Sequence, residues 1–516
     1  MKSWSEVEKQ EARGQQILDC MWVYTYKFNR DGTLKNCKAR IVVRGDQQKP
    51  SSQETYAATL AARSFRIMMA IAARFDLELK QYDAINAFVN APLKDTVYMR
   101  KPPGYKGPSK VLRLRKALYG LRQSPLLWQK ELTSTLRALG FHTIPHEPCI
   151  LIKDGILIFF YVDDIVLAYR KEDTATAQQL VRSLQQKYQF TGGNDLQWFL
   201  GIEVIRDRSQ RLIWLSQTAY LDKIVNLATT NPTAKVPMSA VKLLPYDGKA
   251  EPWSITAYQQ KTGSILYAAV ITRPDIAFAA SQLVRFNNNP SPQHHKAADQ
   301  VLYYLHNTRT LALQLGGADD YVVASDASFA DNSLDRKSSQ AYAMKLFGGL
   351  VGWRANKQDT VTTSTTEAEL LALAQAAKES LFVSRLLTEL TIQLDDQHIK
   401  IQCDNKQTIR LVTAEMATLQ TRLRHVDIHN HWLRQEVANK KIMVEYTPSA
   451  AIVADGLTKA LNHTLHQAFI KQLGLAEPPI EKNDRPSLEL NSLPHLRQSN
   501  VKITMPEKVS VLVKRV

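Results

Sequence analysis

Ile150-Leu-Ile-Lys-Asp-Gly-Ile-Leu-Ile-Phe-Phe-Tyr-Val-Asp-Asp-Ile-Val-Leu-Ala-Tyr169 decides the fold. Ile150-Leu-Ile and Ile156-Leu-Ile-Phe-Phe-Tyr-Val162 are rich in branched and aromatic residues, and Lys153-Asp-Gly155 between them is hairpin-turn chemistry. After Asp163-Asp164 the chain resumes as a third apolar strand, Ile165-Val-Leu-Ala-Tyr169. The pattern predicts a buried ladder with two carboxylates in a tight turn. Lys153, Asp154, Asp163 and Asp164 interrupt the run, so it lacks the roughly 20 uninterrupted apolar residues of a membrane span. An Asp-Asp turn by itself is ordinary loop chemistry, because Asp favours turns. Here the flanking strands make the position defined rather than a loop tip.

Toward the N-terminus, Leu77 to Tyr82 has strand character and ends at Asp83, and Thr59 to Phe75 has helical spacing. Trp22 to Phe28 and Ala39 to Val43 predict a basic-edged hairpin turning at Asn29-Arg-Asp-Gly32. Toward the C-terminus, Thr174 to Tyr188 is helical, and Pro232 to Pro252 is a proline-rich connector. Tyr258 to Leu311 is helical in pattern, broken at Pro274 and Asn287-Asn-Asn-Pro290. A second α/β unit opens at Tyr321-Val-Val-Ala-Ser325. Its strands Ile399 to Cys403 and Ile442 to Tyr446 alternate with helices at Glu367 to Leu390 and Leu457 to Leu473. No solenoid repeat is found, and residues 476–516 are expected to be a disordered tail.

The chain has 516 residues, several times the roughly 150 of one domain, and is 44% hydrophobic and 22% charged. That composition excludes disordered, collagen-like and membrane-spanning classes. Lys and Arg number 66 against 49 acidic residues, a formal charge of +17 spread along the chain, which suits a polyanion track. Cys20, Cys37, Cys149 and Cys403 show no CxxC spacing, which argues against a disulfide framework and for a reducing compartment. Lys2 to Gln16 is polar, so no secretory signal is expected.

Phosphoryl transfer by two hard cations needs two or three convergent carboxylates on rigid strands. Asp83, Asp163 and Asp164 meet that description. The second unit offers another set: Asp326 after Val322-Val-Ala-Ser, Glu369 on a helix begun by Ser364-Thr-Thr, Asp404 after Ile401-Gln-Cys, and Asp455 opening the last helix. Each alone reads as a cap or turn residue. Together at strand and helix ends in one unit they suit two-metal hydrolysis of a phosphodiester. His425, His429 and His431 read as solvated or structural, since no cysteine or carboxylate completes a zinc site at standard spacing.

The sequence resembles the polymerase part of copia-type long-terminal-repeat retrotransposon Pol polyproteins. The words that carry the resemblance are Cys37-Lys-Ala-Arg-Ile-Val-Val-Arg-Gly45, Gln81-Tyr-Asp-Ala-Ile-Asn-Ala-Phe-Val-Asn90, Val97-Tyr-Met-Arg-Lys-Pro-Pro-Gly104, Leu118-Tyr-Gly-Leu-Arg-Gln-Ser-Pro125 with Trp128, and Tyr161-Val-Asp-Asp164. They stand in the family's order. Ser325-Asp-Ala-Ser-Phe-Ala-Asp331, Asp335-Arg-Lys-Ser-Ser339, Ser364-Thr-Thr-Glu-Ala-Glu-Leu370, Cys403-Asp-Asn405 and Ala454-Asp-Gly-Leu-Thr-Lys459 resemble the ribonuclease H part of the same polyprotein. Thr272-Arg-Pro-Asp-Ile-Ala-Phe278 through Val301-Leu-Tyr-Tyr-Leu305 resembles its thumb and connecting region.

The resemblance implies a multidomain α+β and α/β chain. A right-hand polymerase of fingers, palm and thumb would be followed by a ribonuclease H-like mixed-sheet domain. The expected division is a polar N-terminal segment at 1–16, fingers and palm at 17–231, linker and helical thumb at 232–316, the nuclease at 317–475, then the tail. Asp83, Asp163 and Asp164 are the expected polymerase metal ligands, and Asp326, Glu369, Asp404 and Asp455 the nuclease ones, with Mg²⁺ or Mn²⁺ as two ions per site. Glu369 is preferred over its neighbour Glu367 because it precedes Leu-Leu-Ala-Leu as in the family. Lys38 and Arg40 are expected over the incoming triphosphate, Phe88 under the sugar, where its ring excludes a 2′-hydroxyl, and Gln123 against the nucleotide. The bland readings are a solvated strand edge for Lys38 and Arg40, a core ring for Phe88 and a surface amide for Gln123. Pro125-Leu-Leu127 departs from relatives with Arg after the proline, and Ser328 stands where relatives often have Asp.

The implied function is an RNA-directed DNA polymerase with ribonuclease H, acting on an RNA template, DNA primer, RNA–DNA hybrid and deoxynucleoside triphosphates. No membrane partner is expected, and the setting would be a cytoplasmic particle or the nucleus. The rival is a catalytically silent retroelement remnant that binds nucleic acid. A DNA-templated polymerase is disfavoured by the nuclease unit. No Cys-Cys-His-Cys knuckle, protease triplet or integrase zinc module is found, so the chain reads as the distal part of a polyprotein.

Overall fold

The computed structural model describes residues 3–28, 33–50, 54–105, 111–231, 233–317, 320–332, 334–414, 419 and 423–479. The expected turn at Asn29 to Gly32 and the tail from 480 onward lie outside them. The chain is multidomain α+β and α/β, as expected, and divides into two compact units, Met1–Leu60 with Leu77–Leu196, and Ala61–Asp76 with Gln197–Val516.

The first unit is built on a six-stranded antiparallel sheet in the order Phe190–Asp195, Glu78–Ala84, Asp164–Tyr169, Ile156–Tyr161, Glu147–Lys153, His142–Ile144. Every residue of Ile156–Tyr161 is buried, which is why this strand is apolar throughout rather than alternating. Asp154 and Gly155 both take positive φ, the conformation a two-residue hairpin turn needs. Cys20–Phe28 and Leu34–Val43 pair as the predicted hairpin. Trp4–Val7, inside the expected polar N-terminal segment, is a strand on Val111–Leu114.

In the second unit, the strand Tyr321–Ser328 runs antiparallel to Ser339–Leu346 and parallel to Ile399–Cys403, which is parallel to Ile442–Tyr446; Gly349–Lys357 completes this mixed sheet. The helix Thr365–Glu389 packs on it. A second sheet orders Trp198–Phe199, Ile202–Asp207, Leu212–Ser216, Ala312–Leu315 and Leu475–Ala476. Helices Pro252–Ile271, Ala277–Leu283 and Pro292–Asn307 share an apolar core around Tyr258, Ile265, Leu283 and Leu302.

The helix Ala62–Arg74 belongs to the second compact unit, where it packs against Gly349–Lys357. There Arg66 donates to the carbonyls of Val351, Val270 and Ile271 and lies over the Trp353 ring. Burial first, then Arg63, lowers its guanidinium to about 9. The last helix does not begin near Asp455. Residues Val453–Leu457 form a 3₁₀ turn, and the helix starts at His463, where the Asn462 side chain accepts from Leu465 N–H. Asn is a strong N-cap, which sets the start there. Ala476, expected in the tail, pairs with Ala312. Among the described residues no helix is long and apolar enough to cross a membrane.

Candidate active sites

Antiparallel pairing sets Asp164 directly opposite Asp83. The turn between strands is only Val162-Asp163, since Tyr161 already pairs with Asp164. Val162 sits at φ +57°, a conformation that a β-branched residue resists. Two hydrogen bonds hold it there. The Trp128 indole donates to the Val162 carbonyl at 2.6 Å, and the Ala84 N–H donates to the Asp163 carbonyl at 2.9 Å. Asp164 is thus the first residue of its strand and Asp163 alone lies in the turn.

Tyr119 joins the rest of this site. Its ring meets Phe88 edge-on at 4.7 Å, and the Arg40 guanidinium lies 5.8 Å from its centre. Burial raises its hydroxyl, and the Asp163 charge adds to this while Arg40 opposes it. The Tyr119 carbonyl accepts from Val43 N–H at 2.8 Å, and the contact continues through Gly120 and Gly45. A Cβ on either glycine would collide with the backbone oxygen facing it, and Gly120 has φ +92°. These glycines let the basic hairpin dock backbone to backbone.

Lys38 is exposed two residues before Arg40, so both side chains leave the same face of the strand. Phe88 is 9% exposed on the short helix Ala87–Asn90. Gln123 precedes the helix Ser124–Ala138, and its carbonyl accepts from Leu127 N–H.

The second carboxylate set gathers at the ends of Tyr321–Ser328 and Ile399–Cys403. Asp326 is 5% exposed and accepts from Thr458 Oγ1 at 2.5 Å. Burial raises it to about 6, with Asp455 and Asp404 adding. Glu369 is 3% exposed, and burial followed by the charges of Asp326 and Asp404 raises it to about 9. Its Oε2 is buried with no hydrogen-bond partner. Asp404 accepts from Ser449 Oγ at 2.5 Å, and Asp455 pairs with Lys459 at 2.5 Å. One ligand atom each from Glu369, Cys403 and Asp404 lie within 4.8 Å of one another. A buried, unpartnered carboxylate oxygen beside other carboxylates suits a divalent cation.

Glu367 is occupied elsewhere: its Oε2 accepts from Thr363 N–H and Oγ1 at 2.7 Å, and its own N–H donates to the N-cap Ser364. His425 and His429 face one side of the helix Arg424–Ala438 and line a cavity of about 290 Å³ with Gln358, Gln375 and Lys378. His431 lies near Asp427 at 3.6 Å. The histidines do not join a metal-capable cluster among the described residues.

Sequence reasoning did not single out Tyr119, Cys403, Ser449 or Thr458. Three of them stand inside quoted words, Leu118-Tyr-Gly, Cys403-Asp-Asn and Leu-Thr-Lys459, where the signal was available. Ser449 had none, since only folding brings it to Asp404.

Residues 2–240 match the family described as reverse transcriptase (RNA-dependent DNA polymerase). The match takes in 239 of the chain's 516 residues. The chain is also similar to the retrovirus-related Pol polyprotein from transposon TNT 1-94 of Nicotiana tabacum, 31% identical over 471 residues, covering 87% of this chain and 35% of that protein. With the Pol polyprotein from transposon RE2 of Arabidopsis thaliana it is 33% identical over 477 residues, covering 90% of this chain and 32% of the relative. The resemblance to copia-type Pol polyproteins is borne out. The chain spans about a third of the length of these curated relatives. A solved structure of a foamy viral protease-reverse transcriptase in complex with double-stranded DNA is 13% identical, with a TM-score of 0.45, covering 83% of this chain and 66% of that one.

Proposed function

We propose that the chain is the RNA-directed DNA polymerase of a copia-type retrotransposon, with ribonuclease H activity in its C-terminal part. The observation that carries this reading is the register setting Asp164 against Asp83, with Asp163 in the intervening turn, inside the reverse transcriptase segment. In this reading residues 17–231 are fingers and palm, 232–316 linker and thumb, and 317–475 the nuclease.

Asp83, Asp163 and Asp164 would hold one pair of Mg²⁺ or Mn²⁺ ions, and Asp326, Glu369, Asp404 and Asp455 the other. When bound, such ions activate the attacking hydroxyl or water and neutralise charge on the leaving group. The chain's own groups supply the rest. Arg40 offers a planar fork and Lys38 a point charge to the triphosphate. Tyr119 would brace both groups, its ring meeting Phe88 edge-on and lying under the Arg40 guanidinium. The Phe88 ring excludes a 2′-hydroxyl by steric contact, and Gln123 contacts the nucleotide. In the nuclease set, Thr458 and Ser449 orient Asp326 and Asp404 by donating to one oxygen of each.

The partners are an RNA template, a DNA primer, their hybrid and deoxynucleoside triphosphates, in keeping with the +17 charge. The setting is intracellular and reducing, a cytoplasmic particle or the nucleus, in keeping with four free cysteines. The test is primer extension on an RNA template with Mg²⁺, read beside loss of the RNA strand from the hybrid. Extension with RNA loss is expected. Silence in both, from a folded chain that still binds hybrid, returns the reading to a remnant that binds without chemistry.

A further inference from the structure

We propose that Cys403 makes the second carboxylate cluster a site for a thiophilic divalent cation, Zn²⁺ or Cd²⁺, held by Cys403 Sγ with Glu369 and Asp404. The consequence for catalysis rests on reading this cluster as the nuclease centre; the site itself rests on geometry.

Cys403 ends the strand Ile399–Cys403 and is 0% exposed, so strand alternation turns its thiol inward. Its sulfur and a carboxylate oxygen from each of Glu369 and Asp404 fall within 4.8 Å, and no other such trio gathers among the described residues. The independent sign of a missing ligand is Glu369 Oε2, buried without a hydrogen-bond partner on a residue 3% exposed. Asp404 is half-buried and gives the cluster its opening to solvent.

A hard cation takes the oxygens and leaves the thiol protonated beside it. Zn²⁺ and Cd²⁺ accept mixed sulfur and oxygen ligands, and three protein ligands with one open position is an established zinc arrangement. Ligand atoms around a tetrahedral zinc stand about 3.5 Å apart, a side-chain rotation away from the spread seen here. On binding, the metal–sulfur bond forms, the S–H bond breaks and its proton leaves to solvent, with no change of oxidation state. A thiophilic cation therefore competes with the catalytic ion for Glu369 and Asp404. Cys20, Cys37 and Cys149 belong to the other compact unit, and among the described residues none of them joins a metal-capable trio.

The experiment titrates Cd²⁺ into the full chain after chelation and follows the thiolate-to-metal charge-transfer absorption. Expected is a band that saturates near one equivalent, recedes with excess Mg²⁺, is lost in Cys403→Ser and Cys403→Ala, and needs about tenfold more Cd²⁺ in Asp404→Asn. Cys37→Ser, at an exposed thiol, controls for adventitious binding. A band that survives in whichever Cys403 variant folds, or that vanishes in Cys37→Ser, overturns the proposal. Hybrid cleavage is followed in parallel, where Cys403→Ser is expected to need about tenfold more Cd²⁺ for equal inhibition. A Cys403-dependent band in a chain that cleaves no hybrid in Mg²⁺ would keep the site and remove the nuclease reading. Cleavage without the band would do the reverse.

Discussion

The Trp128 indole N–H donates to the Val162 carbonyl at 2.6 Å, so a residue 34 positions upstream pins the turn that presents Asp163. Trp128→Phe keeps the ring's bulk and removes the donor, leaving a carbonyl unpaired at a cost of about 1–3 kcal/mol. Because Val162 already sits at φ +57°, the turn is expected to relax, and primer extension to fall by about tenfold or more, in line with that energy. Hybrid cleavage should be unchanged. Extension at the parental rate would show that the strands alone hold the turn.

Asp163→Asn is expected to take polymerisation to background while RNA-strand cleavage persists, because the two carboxylate sets belong to different compact units. The readout is both assays on one folded preparation. Loss of both activities would dismiss their independence.

Phe88→Ala is expected to admit ribonucleotides in primer extension. Phe88 also braces Tyr119 at 4.7 Å, so the truncation removes packing worth about 3–5 kcal/mol in a core. Phe88→Leu retains more volume and should relax discrimination less. Unchanged discrimination in both would make the ring a core residue only.

Acid should destabilise the second unit through a buried chain of hydrogen bonds. His466 Nε2 contacts the Tyr304 hydroxyl at 2.9 Å, and Tyr304 donates to Asp275 at 2.6 Å. Since Tyr304 has one proton and gives it to Asp275, the imidazole must donate Nε2–H. Arg273 closes the chain with a two-pronged bond to Asp275, both side chains being fully buried. Burial holds His466 below its ordinary value near 6.5. The unfolded chain therefore takes up the proton first, so this stabilisation is complete above about pH 6.5 and is lost as the pH falls through the lowered folded-state value. Melting temperature should drop between pH 7.5 and 5.5, and His466→Gln should flatten that slope. A slope identical in the variant would assign the acid sensitivity to other groups.

Divalent ions should stabilise the chain through the second carboxylate set. Glu369, Asp326 and Asp404 crowd together with one oxygen buried and unpaired. Mg²⁺ is expected to raise the melting temperature of the parental chain, and chelator to lower it. Glu369→Gln should lose the Mg²⁺ increment and melt no lower than the parent in chelator, since it removes the crowding. An undiminished Mg²⁺ increment in Glu369→Gln would locate the stabilising ion elsewhere.

The carboxylate ladder was legible because Ile156–Tyr161 is buried on both faces and therefore apolar at every position, and Asp154-Gly155 is turn chemistry with one geometry. The hairpin Ser339–Leu346 with Gly349–Lys357 was not, since its alanines and glycines carry little strand preference and are held by tertiary burial. The sheet begun by the hairpin Ile202–Asp207 with Leu212–Ser216 could not be assembled from the sequence, because the strands that extend it, Ala312–Leu315 and Leu475–Ala476, lie far along the chain. The candidate carboxylates were readable as acids at strand ends, in a turn or on a helix, whereas Ser449 beside Asp404 and the partnerless oxygen of Glu369 exist only after folding.

Leu475 and Ala476 cross back to pair with Leu313 and Ala312, so the end of the mixed-sheet region is stitched into the sheet that precedes it. A fragment cut between these sheets would expose an edge on one piece and leave a dangling strand on the other. The mixed sheet and its neighbour thus form a clasped pair, and shortening the chain just before Leu475 would open the clasp while leaving every candidate metal ligand in the sequence.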